Sequence, residues 1–262
     1  MRFGFIGTGN MASAIILGAI KSASFASADI YAYNHHIEKA QKLGAECGMR
    51  VCETLEELCK KSDALVLAVK PQVLPEVLPR IKPLCEGKTV VSIAAGKTLA
   101  YFEEQLGPVP VVRVMPNINA KVFASTSCIC ANEYTEKEQL EAVRSLFSTV
   151  GSTIDLPEKQ FSAFSAIAGA SPAFSYIYID ALAKAGVRAG LPRSVALSAA
   201  AGSVLGSAKM VLASEQHPCA LADQVCSPGG TTIEGVCALQ NRGFEGIVEE
   251  AAAAVIAKDK LL

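Results

Sequence analysis

Residues 1–156 alternate short, uninterrupted apolar runs with stretches whose apolar positions recur every three or four residues. Runs of the first kind predict strands buried on both faces, and stretches of the second kind predict the helices that cover them. Phe3–Ile6 predicts a strand and Met11–Lys21 a helix. Ile30–Tyr33 predicts a short strand, Ile37–Cys47 a helix with Gly48 near its end, and Thr54–Lys61 another helix. Ala64–Val69 reads as a buried strand followed by Lys70-Pro71. Thr89–Ser92 and Val111–Val114 read as further strands. Ser127–Ala131 and Ser152–Asp155 are strand candidates around a helix at Glu136–Phe147. Strand and helix in alternation is the signature of a parallel α/β sheet.

After about Leu156 no convincing strand follows. Ser171-Pro172 offers an N-cap with proline at the first helical position. Phe174, Ile177, Tyr178, Ala181, Leu182 and Ala185 then fall at helical spacing, and Gly190 and Pro192 separate one helix from the next. Val195–Leu212 is rich in Ala, Ser and Gly, with Gly202 and Gly206 four residues apart. A helix so apolar on most sides suits a dimer core at least as well as a monomer core. Gln160–Ile179 is uncharged for 20 residues, long enough to span a bilayer. Its four serines and Pro172 favour a buried helix pair over a membrane span. The expected division is residues 1–156 as an α/β domain and residues 157–262 as an all-α domain.

Composition narrows the classes. Hydrophobic residues make up 51% and charged residues 19%, with a formal net charge of −1, and neither half has the basic bias of a nucleic-acid binder. Nine cysteines lie scattered without C-x-x-C pairs and only three histidines are present. A metal site is therefore not expected, and reduced, buried thiols in a cytoplasmic protein are. The first apolar run is broken by glycines, which argues against a signal peptide.

Those glycines carry chemistry. Gly7-Thr8-Gly9-Asn10-Met11-Ala12 follows the first strand and opens the first helix, giving G-x-G-x-x-A in the context that dinucleotide binding requires. Gly7 allows the tight turn, Gly9 lets backbone approach a pyrophosphate, and Ala12 lets helix pack on strand. The first domain is thus expected to be Rossmann-type. At the end of the second strand the chain reads Tyr33-Asn34-His35-His36, without the acidic residue that NAD binders place on the ribose. NADPH is favoured over NADH on that ground. Lys70, at the end of Ala68-Val69-Lys70-Pro71, is either near phosphate or ribose or simply solvated. Met115 and Asn117, in Val114-Met115-Pro116-Asn117, are candidates to meet nicotinamide or substrate, with turn formation beside Pro116 as the alternative for Asn117.

Ser227-Pro228-Gly229-Gly230-Thr231-Thr232-Ile233 opens an apolar helical segment. Thr231 and Glu234 fit a capping box, with Thr231 as N-cap. The amides of such a start could hold a carboxylate or phosphate, or the segment is only a capped helix after a turn. No nucleophile–base set can be assembled. Carbonyl reduction usually needs a proton donor for the alkoxide, whereas a protonated imine brings its own positive charge.

Together these motifs resemble pyrroline-5-carboxylate reductase, the last enzyme of proline synthesis. The residues concerned are Gly7–Ala12, Ala68-Val69-Lys70-Pro71-Gln72, Arg113–Asn117, Ser171-Pro172-Ala173, Ala185-Gly186-Val187 with Gly190-Leu191, and Ser227–Ile233. The resemblance implies a Rossmann domain followed by a helical dimerisation domain, a homodimer, and often a decamer of five dimers. It implies reduction of 1-pyrroline-5-carboxylate to L-proline by NADPH or NADH, with no nucleic-acid or membrane partner. Cofactor contacts carried over are Ile6, Gly7, Thr8, Gly9, Asn10 and Met11, then Asn34 and His35, then Ala68, Val69, Lys70 and Pro71. Ser227, Gly229, Gly230, Thr231 and Thr232 would hold the substrate carboxylate, with Thr232 near the ring nitrogen as the catalytic candidate. The chain departs from the family where Asn-Arg is often found and Asn34-His35 stands, and where Gly202-Ser203 replaces a common Gln-Thr pair. Two rivals remain: a β-hydroxyacid-type dehydrogenase, for which Lys184 is the only lysine in the Pro172–Gly190 helix, and a dinucleotide sensor without catalysis.

Overall fold

A computed structural model describes residues 1–259. One eight-stranded sheet is built from β1 (Phe3–Ile6), β2 (Ile30–Tyr33), β3 (Arg50–Val51), β4 (Ala64–Leu67), β5 (Thr89–Ser92), β6 (Val111–Met115), β7 (Ser125–Ala131) and β8 (Gly151–Asp155). Its order is β3-β2-β1-β4-β5-β6-β7-β8. The first six strands run parallel in the doubly wound order. β7 turns antiparallel to β6, and β8 follows β7 in parallel. The switch point lies between β1 and β4, where successive crossovers leave to opposite sides.

Helices cover both faces. The helices α1 (Asn10–Lys21), α2 (Ile37–Cys47), α3 (Leu55–Lys61), α4 (Leu74–Ile81), α5 (Leu99–Leu106) and α6 (Lys137–Ser148) separate the strands. On one face Phe3, Phe5, Ile15, Ile16 and Phe147 are buried together, and on the other Leu55, Leu58, Leu78 and Phe102. β1, β4 and β5 are buried along their whole length; β1 and β4 are apolar throughout, while β5 buries Thr89 and Ser92 at its two ends, and all three are central strands. The sequence pattern missed α4 and α5. Pro75 and Pro79 both lie in α4, which is short enough to lose little backbone pairing to them. Thr98 caps α5, its side chain accepting from the Tyr101 N–H at 3.2 Å.

The chain divides into two compact units. Among the described residues, one holds 1–169 together with 256–259, and the other holds Ala170–Val255. The first holds α7 (Phe161–Phe164), which a π-helical stretch, Ser165–Ala170, follows; α8 (Ser171–Arg188) begins at the next residue. The Ser171 cap is therefore corrected. Ala170 precedes the helix in a right-handed helical conformation, and the backbone is helical before Ser171 is reached. Pro172 has no N–H to give the Ala168 carbonyl four residues before it, and that carbonyl accepts from Asn117 Nδ2 at 3.0 Å. Within Gln160–Ile179 lie α7, the π-helical stretch and the first half of α8.

The second unit contains α8, α9 (Arg193–Ala213), α10 (Pro218–Val225), α11 (Thr231–Asn241) and most of α12 (Phe244–Asp259). α8 and α9 meet through Ala183, Ala196 and Ala200, with Ile179 against them. Asp180 holds both Lys184, at 2.7 Å, and Arg193. Ile177, Leu205, Met210, Leu212 and Ile247 are exposed on this unit. Among the described residues only α9 is long and apolar enough to cross a membrane by length and composition.

Candidate functional site

Gly7 is where three strand ends come together. Its φ of +102° suits glycine, and its N–H donates to the Tyr33 carbonyl at the end of β2, at 2.8 Å. A Cβ at Gly7 would stand 2.8 Å from the Ala68 carbonyl oxygen, just beyond β4. The Ala68 N–H in turn donates to the Ile6 carbonyl at 3.0 Å. Ile6, Gly7, Ala68 and Val69 therefore form one lip over the switch point.

Gly9 is the N-cap of α1, extended and without a side chain to close the helix end. A Cβ placed there finds nothing within 4 Å, and the first intrahelical bond runs from the Ser13 N–H to the Gly9 carbonyl at 2.9 Å. The amides of Asn10, Met11 and Ala12 thus open into free space with the helix dipole behind them. A dinucleotide pyrophosphate fits this start, which excludes side chains while offering donors.

The β2 end is held by Asn34. Its Nδ2 donates to Thr8 Oγ1 at 2.7 Å, and its Oδ1 accepts from the His36 N–H at 2.9 Å. His35 and His36 project into solvent beside it. Lys70 is exposed, and its carbonyl accepts from the Val73 N–H at 2.9 Å as Pro71 opens a 3-10 turn.

Met115 ends β6 half-buried, and Asn117 is buried beyond it. The Asn117 amide is engaged at both ends: Nδ2 donates to the Ala168 carbonyl at 3.0 Å and Oδ1 accepts from the Asn119 N–H at 3.1 Å. What Asn117 contributes is a fixed backbone after β6. Earlier on the strand lies an ion pair that the sequence does not announce. Arg113 donates to Glu158 Oε1 at 2.9 Å, Glu158 also accepts from the Leu99 N–H at 2.7 Å, and the guanidinium lies over Phe161 at 4.5 Å. Glu158 lies 45 residues from Arg113 and 59 from Leu99, so no local spacing could have marked them.

In the helical unit, Ser227–Gly230 forms a β-turn closed by the Gly230 N–H on the Ser227 carbonyl at 3.0 Å. Pro228 takes the first central position and Gly229, with φ of +68°, the second. Gly230 is the N-cap of α11, with no side-chain cap. The capping box is therefore corrected: Thr231 is the first helical residue, and Glu234 falls one place too late to reach back. The tight turn already sets the helix entry, so no threonine cap is used. The amides of Thr231, Thr232 and Ile233 are left outward, and both threonines are exposed.

The other candidates are occupied elsewhere. His217 caps α10, its Nδ1 accepting from the Cys219 N–H at 3.2 Å. Lys184 is exposed and paired with Asp180. Among the described residues no group of His, Cys, Asp and Glu could hold a metal ion. All nine cysteines are free, with Cys52, Cys59, Cys85 and Cys128 buried.

Residues 158–262 match the family model for pyrroline-5-carboxylate reductase dimerisation, and residues 2–96 match that for coenzyme F420-dependent NADP oxidoreductase. The pyrroline-5-carboxylate reductase of Synechocystis is 36% identical over 262 residues, spanning 100% of this chain and 98% of its own. That of Escherichia coli is 38% identical over 263 residues, with the same coverage. The chain belongs to the pyrroline-5-carboxylate reductase family. Solved members of the pyrroline-5-carboxylate reductase family share the fold. The Plasmodium falciparum enzyme with NADP bound has a TM-score of 0.90 at 30% identity, over 100% of this chain and 97% of its own. The Streptococcus pyogenes enzyme has a TM-score of 0.88 at 36% identity, over 100% and 99%. Membership brings the Rossmann-type unit and the helical dimerisation unit together in one reductase architecture.

Proposed function

We propose that the chain reduces 1-pyrroline-5-carboxylate to L-proline, with NADPH favoured over NADH. The observation that carries this reading is the Ser227–Gly230 turn, which leaves the α11 amides open in a chain whose other unit holds an open dinucleotide loop. When bound, the nicotinamide supplies the hydride.

The chain's own residues bind and orient. Gly7–Met11 hold the pyrophosphate, Asn34 and His35 stand at the adenosine ribose, and Ala68–Pro71 flank the dinucleotide across the switch point. The amides from Gly230 to Thr232 hold the substrate carboxylate. The Thr232 hydroxyl accepts the N–H of the protonated imine and so keeps the C=N carbon facing the hydride donor. Met115 and Asn117 wall the substrate at the end of β6. Holding two reactants at near-attack distance removes a large part of such a barrier without an acid or base.

The working form is a cytoplasmic homodimer through the helical unit, with the carboxylate turn supplied by the second copy, and five such dimers complete a decamer. The exposed apolar side chains of α8, α9 and α12 support that assembly.

One assay tests the reading. NADPH oxidation is followed with 1-pyrroline-5-carboxylate, beside NAD reduction with 3-hydroxy acids. Turnover of the imine alone is expected. Turnover of the hydroxy acids would assign the dehydrogenase chemistry instead, and NADPH binding without any turnover would leave a sensor.

A further inference from the structure

The end of β2 is where a dinucleotide's ribose 2′ position is read, and this chain equips it unusually. Neither a carboxylate nor an arginine directly follows Tyr33-Asn34 at the strand end; the nearest are Glu38 of α2 and Arg80 of α4, the latter paired with Glu56. The amide of Asn34 is spent within the protein, on Thr8 and on the His36 N–H. The side chains left to meet the 2′ substituent are His35 and His36. Both are exposed, and their rings pack edge to face with centroids 5.3 Å apart.

We propose that His35 and His36 make the choice between NADPH and NADH depend on pH. This rests on the dinucleotide reading above. A neutral imidazole offers one N–H and no charge, and a protonated one offers two N–H donors and a positive charge. A 2′-phosphate dianion favours the protonated form, so its binding draws a proton onto the pair. The 2′-hydroxyl of NADH has no such demand. Preference for the phosphorylated cofactor therefore falls as pH rises across the imidazole range. Below about pH 6 the phosphate itself takes up a proton and the gain levels off.

The charges around the pair are consistent with this. Glu38 of α2 stands 3.9 Å from His36 Nδ1, where it competes with a 2′-phosphate for that nitrogen. Lys39 follows on the same helix. Arg80 of α4 faces Tyr33 but is paired with Glu56 at 3.0 Å. Thr8, from the β1 loop, is neutral.

The test is calorimetric binding of NADP+ and of NAD+ to the whole enzyme, without substrate, in buffers of different ionisation enthalpy. At pH 7.5 the phosphate is already a dianion, and NADP+ binding should take up roughly half a proton that NAD+ binding does not. Between pH 6.5 and 8.5 the NADP+ to NAD+ affinity ratio should fall roughly five- to tenfold. The double substitution His35→Asn and His36→Asn, its folding checked by thermal midpoint, should abolish both the uptake and the slope. His35→Arg should give a strong preference for NADP+ at every pH. Equal proton counts for the two dinucleotides, or a slope that survives the double substitution, would overturn this inference alone. Failure of both dinucleotides to bind would overturn the dinucleotide reading with it.

Discussion

A methyl group added at Gly9 and one added at Gly7 meet opposite surroundings. At Gly9 the backbone is ordinary and the added carbon touches nothing, so Gly9→Ala should leave stability within about 0.5 kcal/mol of the parent. If that space takes the pyrophosphate, as proposed, NADPH affinity should fall roughly tenfold or more, about 1.4 kcal/mol, by calorimetry. Gly7→Ala should behave the other way. Its φ of +102° and the Ala68 carbonyl 2.8 Å from the new atom should cost about 1–3 kcal/mol in urea unfolding. Loss of stability at Gly9 would show that its role is structural. Thr232 is exposed at the α11 start, so Thr232→Ala should fold normally. If its hydroxyl orients the imine, kcat should drop roughly tenfold or more with the NADPH dissociation constant unchanged. Unchanged turnover would remove Thr232 from the chemistry.

At the scale of elements, what the sequence announced and what it hid follow a physical division. Strands β1 and β4 are continuous apolar runs because both their faces are buried, and the G-x-G-x-x-A loop is legible because it joins two adjacent elements. Local signals also marked the Ser227–Gly230 turn, though they misplaced the cap by one residue. Features made by distant pairing were invisible. Arg113 and Glu158 look like two ordinary charges until the fold sets one on the other above Phe161. The side chains are only 8% and 27% exposed, so losing one partner is expensive. Glu158→Ala strands a buried guanidinium and frees the Leu99 N–H, and should cost about 3–5 kcal/mol in urea unfolding. Arg113→Met leaves Glu158 with some solvent and its Leu99 bond, and should cost less. Losses that simply add in the double variant would show that the two side chains are not coupled.

Across the whole molecule, burial of thiols links stability to alkaline pH. Burial pushes Cys52 and Cys85 up to about 11, and Cys59 and Cys128 to about 12. An unfolded thiol ionises near 8.5. Each raised thiol therefore contributes stability that is complete below about pH 8.5 and is lost as pH climbs through the folded values. Urea midpoints should fall between pH 8.5 and 10.5, and Cys59→Ala should make that fall shallower. An identical slope would mean that Cys59 ionises in the folded protein much as it does in the unfolded chain. The helical unit raises a second question of scale. Its described core is Ala183, Ala196 and Ala200, far too little apolar burial to hold a unit of its size, while Ile177, Leu205 and Leu212 lie bare. Such a surface calls for a second copy, and if that copy also lends its carboxylate turn, activity becomes a property of two chains. Gly9→Val disables the dinucleotide loop of one chain, and Thr232→Ala the turn of another. Each homodimer should keep at most about a tenth of the parent activity. In mixed dimers, one of the two sites would combine an intact loop with an intact turn. Random assembly makes half the dimers mixed, so co-expression should restore about a quarter of the parent activity. If loop and turn act within one chain, every site carries a lesion and co-expression restores nothing.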